Sequence, residues 1–169
     1  MDFQFRRVVT LLTLATLVTS LTGCAGSRQV QCRKLMELVD QGNLAIAVPN
    51  NLDNSATTLR LAQELNIVAD RMQKLYLTNG RLKRIRSGFT EVFREFAMVL
   101  NEMGQVLEAG EKTPITVEGR AELVKAIEQV NEISQRTTPI SEKADTLMAQ
   151  MTKHCPSESL KPEQPDSSQ

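Results

Sequence analysis

Tryptophan is absent from this chain, tyrosine occurs once, histidine once and phenylalanine only five times in 169 residues. So few aromatic rings argue against a β-sandwich or a carbohydrate-binding platform, since both depend on aromatic faces. Neither sign of charge dominates, because 20 Lys and Arg balance 20 Asp and Glu. A neutral chain gives no reason to expect nucleic acid as a partner. With one imidazole there is no HExxH zinc motif, and the sequence contains no CxxC, Gly-rich phosphate loop or nucleophile elbow. The chain therefore reads as a protein that is not an enzyme and needs no cofactor and no metal. The methionines, among them Met36, Met72, Met98, Met103, Met148 and Met151, fall mostly at core spacing and read as filling rather than as copper ligands.

What is abundant is Leu, Ala, Met, Glu, Gln and Arg, all good helix formers. Apolar spacing of three and four residues marks four helical segments. In the first, roughly Gln29 to Ala47, the inward positions are Cys32, Leu35, Met36, Val39, Asn43 and Ile46. A break over Val48 to Asn54 follows, with Asn54 or Ser55 placed to cap the next helix. There Ala62, Leu65, Ala69, Met72 and Tyr76 form a stripe, and Asn79-Gly80 reads as its stop, Gly tolerating a left-handed C-cap. The third helix, about Arg81 to Ala109, carries Leu82, Ile85, Phe89, Val92, Phe93, Phe96, Leu100, Met103 and Leu107 on one face, the centre of the expected core. The fourth starts near Val117 with Val124, Ile127, Val130, Asn131 and Ser134 inward. It continues in phase past Pro139 through Ala144, Leu147, Met148, Met151 and Cys155, which predicts one kinked helix. The expected fold is all-α, an up-and-down four-helix bundle with a kinked last helix over residues 29–155. From Pro156 the Ser, Pro, Glu and Gln content predicts a disordered, mildly acidic tail.

The N-terminus has the layout of an export signal, with Arg6 and Arg7 ahead of an apolar run from Val8 to Val18 and then small residues. The segment ends in Leu21-Thr22-Gly23-Cys24, which closely resembles the lipobox of bacterial lipoprotein precursors. That resemblance implies diacylglycerol on the Cys24 sulfur, cleavage just before it, and a further acyl chain on the new amino group. Residues 1–23 would be the signal peptide and 24–28 a lipidated tether. A transmembrane helix over Val8 to Ser27 is the main competitor, but five Thr and Ser20 make the stretch only moderately apolar. An ordinary secretory signal or a twin-arginine signal would leave Cys24 unused, and Arg6-Arg7 lacks most of the twin-arginine consensus. Each buried methylene contributes roughly 0.8 kcal/mol, so two or three acyl chains hold a protein to a membrane almost permanently. Ala25 rather than Asp after the lipidated Cys leans towards the outer membrane.

With Cys24 taken by lipid in an oxidising compartment, Cys32 and Cys155 remain as a pair, one opening the first helix and one closing the last. A structural disulfide is expected. The alternative, a thiol with His154 as its base, is geometrically poor because adjacent helix residues point about 100° apart. Helix ends so joined demand an even number of antiparallel helices, which favours four over five. The same reasoning turns the Cys32/Cys155 end, and the basic run Arg81, Lys83, Arg84 and Arg86, towards the bilayer. That cluster would rest on anionic headgroups or else form a solvated face.

The functional expectation is a lipid-anchored cell-envelope protein, periplasm-facing or on the cell surface. It would act by contact with the membrane and with an envelope protein. In outline, though not by motif, it resembles the small four-helix lipoproteins attached to cyanobacterial photosystem II. The alternative is a carrier holding a small apolar ligand inside the bundle, with Asn43, Asn131 and Ser134 as inward polar candidates. A filled bundle with an exposed apolar patch would favour docking, and an internal cavity of ligand size would favour carrying.

Overall fold

The computed structural model describes residues 23–47 and 54–155. These form α1 (Gly23–Ala47), α2 (Ser55–Lys74), α3 (Gly80–Glu111), α4 (Val117–Gln135) and α5 (Thr137–His154). Segments α4 and α5 meet at Arg136 and make one last helix bent by 24°. The architecture is an all-α, up-and-down four-helix bundle with that kinked helix as its fourth member. The expected signal peptide up to residue 22, the side chain of Cys24, the break at 48–53 and the tail at 156–169 lie outside the described residues. Among the described residues no helix is long and apolar enough to cross a membrane.

Side chains set the helix starts. Asn54 caps α2 by accepting from the Thr57 N–H at 3.2 Å. Asn79, expected with Gly80 to end the second helix, instead begins the third. Its Oδ1 accepts from the N–H groups of Arg81 and Leu82 at 2.9 and 3.2 Å, and no glycine among the described residues takes a positive φ. The second helix has already stopped at Lys74, leaving residues 75–79 as a connector. That shift turns Tyr76 out, 83% exposed, and Leu77 in. The break in the last helix lies at Arg136, three residues before Pro139. Pro139 has no N–H, and its ring opposes the carbonyl four residues back, that of Gln135. The Arg136 N–H accordingly bonds the Ile133 carbonyl at 3.1 Å, Thr137 Oγ1 donates to the Ser134 carbonyl, and the Arg136 guanidinium holds Glu102 of α3 at 2.7 Å.

The core is centred on Phe89 and Phe93 of α3, whose ring centroids lie 6.2 Å apart. Around them Leu35, Leu65, Met72, Leu82, Ile85 and Met151 are fully buried. Helix α1 crosses close to this pair at Gly42, where a Cβ would overlap the Phe93 ring. Of the inward positions expected on α1, Asn43 and Ile46 are exposed, and Leu38 and Gly42 are buried. Helices α2 and α3 pack along most of their length, and α5 lies along α3.

The helices differ in length, and that difference shapes the molecule. At 1.5 Å per residue, α3 runs about 48 Å, whereas α1 rises only about 22 Å from Cys32 to Ala47. Helix α4 therefore stands against the upper part of α3, with no extensive contact to α1 or α2. Its expected inward residues Val124 and Ile127 are 57% and 62% exposed, and Asn131 is also exposed. Ser134 is half-buried and donates to the Asn131 carbonyl at 2.8 Å. The periodicity of this stripe is real, but among the described residues no fourth helix covers it.

Candidate functional site

Two surfaces at opposite ends of the bundle carry unsatisfied chemistry. The lower one is built around the bridge between Cys32 and Cys155, whose Cα atoms are 5.7 Å apart. Helix α5 reaches α1 chiefly through this bond, which closes the ring of helices. Arg28 of α1 donates to the His154 carbonyl at 2.7 Å beside it. Gln31 adds a clamp to the α2–α3 connector. Its Oε1 accepts from the Thr78 N–H at 2.8 Å and the Asn79 N–H at 3.3 Å, and its Nε2 donates to Thr78 Oγ1 at 2.9 Å. The start of α3 is thereby fixed next to the ends of α1 and α5.

This arrangement splits the basic run. Arg81 and Arg84 line a pocket of about 380 Å³ together with Arg28 and His154. Lys83 is exposed outside that lining. Arg86 does not belong to the exposed group at all. It is half-buried, and its Nη1 donates to the Leu75 carbonyl at 2.7 Å, at the end of α2, where a cation complements the helix dipole. Its Nε is buried without a partner among the described residues. Arg86 is a structural cap. Partial desolvation, followed by the charges of Arg81, Arg28, Lys153 and Arg84, pushes the His154 imidazole below its ordinary value. His154 thus faces a ring of cations and does not serve Cys155, whose sulfur is in the disulfide.

Arg28 and His154 were not singled out in the sequence as members of this site. The signal was present: a bridge joining the first and last helices must also bring their flanking charges together, beside the α2–α3 turn.

The upper surface is apolar. Between α3 and α4 runs a groove of about 340 Å³ lined by Val106, Leu107, Leu123, Ala126, Ile127 and Val130, among others, and it is open to solvent. Val124 continues the exposed stripe, and Val117 and Ile115, 80% and 95% exposed, extend it to the top of the bundle. The α2 and α3 ends there are tied by Glu111, whose carboxylate accepts from the Ser55 N–H at 2.8 Å and the Ser55 hydroxyl at 2.7 Å. These bonds hold the Glu111 carboxyl below its ordinary value. The exposed side of α4 carries Glu118, Glu122, Glu128 and Glu132 against Arg120 and Lys125, a net acidic surround.

Among the described residues no three His, Cys, Asp or Glu side chains converge as metal ligands would. Comparison with known proteins finds no family model, no curated relative and no solved structure that matches the chain.

Proposed function

We propose that the protein is a lipid-anchored subunit of the cell envelope. It is tethered through acyl chains on Cys24 with its disulfide end towards the membrane, and it docks by its free end onto an envelope protein. The observation that carries the docking half is the uncovered apolar stripe of α4. Helix α1 ends at Ala47, well short of the top of α3, and among the described residues Val124 and Ile127 lie open beside an apolar groove. An amphipathic helix from the partner, its apolar face flanked by basic residues, matches both the groove and the acidic surround of α4. The anchor half rests on the lipobox-like Leu21-Thr22-Gly23-Cys24. Because α1 runs unbroken from Gly23, Cys24 would lie only about 12 Å along the helix from Cys32. The free end then points away from the bilayer. The chemistry is binding, with no reaction assigned. The carrier alternative has less support: the core is filled by Phe89, Phe93, Met72 and Met151, and the apolar groove is a surface feature.

The test has two parts. Cys24→Ser should abolish acylation and release the protein from the membrane fraction or leave it unprocessed; unchanged partitioning into detergent would exclude the anchor. A photo-crosslinking residue at position 124 or 127 should trap one envelope protein in intact cells. The same residue at Glu37, exposed on α1, should trap none, and Val124→Asp should abolish the adduct formed from position 127. Equal labelling from all three positions would exclude docking through α4.

A further inference from the structure

The basic pocket at the disulfide end has no role in the docking surface above, yet three separate elements build it. Arg28 comes from α1, Arg81 and Arg84 from the first turns of α3, and His154 from the last residue of α5. Their convergence is enforced by three devices: the Cys32–Cys155 bridge, the bond from Arg28 to the His154 carbonyl, and the Gln31 clamp on Thr78 and Asn79. Lys153 adds its charge from the same turn of α5. Among the described residues no carboxylate lines the pocket, and no ion pair involves Arg28, Arg81 or Arg84. Elsewhere several cations are matched, Arg94 with Asp70, Arg136 with Glu102, and Lys143 with Glu91 and Glu95, while others such as Lys74, Arg120 and Lys125 are in no ion pair among the described residues but do not converge on one pocket. What sets the pocket apart is convergence: three guanidinium groups from two helices line one concavity beside His154 with no carboxylate in its lining. Like charges so placed repel, and an anion relieves that repulsion.

We propose that this pocket binds a phosphate-type oxyanion. Guanidinium groups present planar forks of N–H donors that match phosphate oxygens, and three of them face one volume here. One Nη2 of Arg28 is engaged by the His154 carbonyl, which orients that guanidinium while its other donors remain for a ligand. The His154 ring, protonated as the anion enters, supplies a fourth donor. The phosphate could come from a phospholipid headgroup or from solution. The headgroup source rests on the anchor reading, which sets Arg28 four residues after the lipidated Cys24 and so against the bilayer surface.

The experiment uses the only His in the chain as a reporter. The full chain, in a non-ionic detergent without phospholipid, is titrated with inorganic phosphate while the His154 imidazole is followed by NMR. A saturable shift is expected, with the pH midpoint of His154 moving up as the anion offsets the surrounding cations. Arg81→Gln with Arg84→Gln should weaken binding by about tenfold or more, the loss of charge-assisted hydrogen bonds. Arg60→Gln with Lys125→Gln, which removes the same charge elsewhere on the surface, should leave it unchanged. In a second arm the protein sits in nanodiscs of phosphatidylcholine with or without phosphatidylglycerol, free of phosphate. The same shift with phosphatidylglycerol identifies the headgroup as a source, and a response to inorganic phosphate alone identifies a soluble one. No response in either arm, or equal loss in the charge-matched control, would overturn the proposal. So would binding that appears only after Glu158, Glu163 and Asp166 of the tail are neutralised, which would make the tail the occupant. The detergent arm does not require lipid on Cys24, so a failed anchor and a failed pocket give different results.

Discussion

The lower half of the bundle and the upper half are made of the same kinds of residue, yet only one is closed. Below the level of Ala47, four helices surround Phe89 and Phe93, and the ring is completed by a covalent bond between α1 and α5. Above it, among the described residues, α2, α3 and α4 remain, and α4 packs chiefly on α3. Helix α4 carries an apolar stripe at helical spacing as α3 does, though a shorter one, but Val92 is fully buried whereas Ile127 is 62% exposed. The difference lies in whether a fourth helix extends far enough to cover the stripe. An apolar stripe buried by its own chain contributes to folding, and one left uncovered is available for association.

The strongest way to break this contrast is to open the closed half. Replacing Cys32 and Cys155 together by Ala removes a cross-link spanning 123 residues. In the chain-entropy argument that is a loss of about 5 kcal/mol at most. Equilibrium denaturation of the oxidised wild type against the double variant measures it. A loss well under about 1 kcal/mol would mean that α5 is held to the bundle by its packing on α3 and that the bridge adds little.

The next test compares truncations. Phe93→Ala should destabilise by about 3–5 kcal/mol, since the ring is fully buried and Gly42 gives α1 no side chain with which to refill the space. Val124→Ala and Ile127→Ala should each stay within about 0.5 kcal/mol, because solvent already reaches both. If the α4 truncations cost as much as Phe93→Ala, α4 is covered in solution and the upper half is not open.

The same contrast marks what the sequence made legible. Helix spans, the Phe-rich centre and the disulfide could all be read, because periodicity and cysteine count are local or nearly arithmetic signals. Coverage is not local. Val124 and Ile127 have core spacing, and only the short first helix, visible in the break at Val48-Pro49, betrays that no described helix covers them. Asn79 misled for another reason: Asn before Gly suits a helix end or a helix start equally well. The choice was made by the connector, where Leu77 is buried at 2% exposure and the chain had to leave α2 early to bury it. Arg86 sat in a basic run like its neighbours, and only the position of the Leu75 carbonyl distinguishes it. Gln31 carried no signal, since an uncharged polar residue near a helix start has no preferred partner until the fold supplies one.

That clamp gives a prediction of intermediate size. Gln31→Ala removes the acceptor for the Thr78 and Asn79 N–H groups, at a cost of about 1 kcal/mol. It should also loosen the pocket end specifically, so amide exchange at residues 75–82 should quicken while α4 is unchanged. Uniform acceleration through the whole bundle would show that Gln31 supports global stability and not this end.

The smallest expected effect belongs to the upper half and is one of pH. Bonds from the Ser55 N–H and hydroxyl favour the charged form of Glu111 and hold its carboxyl below the ordinary 4.5. A folded-state value depressed below the unfolded one gives stability that is fully present above the unfolded value. It is lost as pH falls through the folded value. The tie between α2 and α3 should therefore be intact at neutral pH and weaken only below about 4.5, where the unfolded chain takes up the proton first. Glu102, held down by Arg136 at the bend, follows the same sign. Because both carboxylates sit on the surface, the loss should be slight compared with the bridge or with Phe93. In Glu111→Gln the acid-induced loss between pH 5 and pH 3 should shrink, with Glu102 still contributing. If instead the wild type gained stability over that interval, the Ser55 bonds would have to favour the protonated carboxyl. The top of the bundle would then be held by something other than this contact.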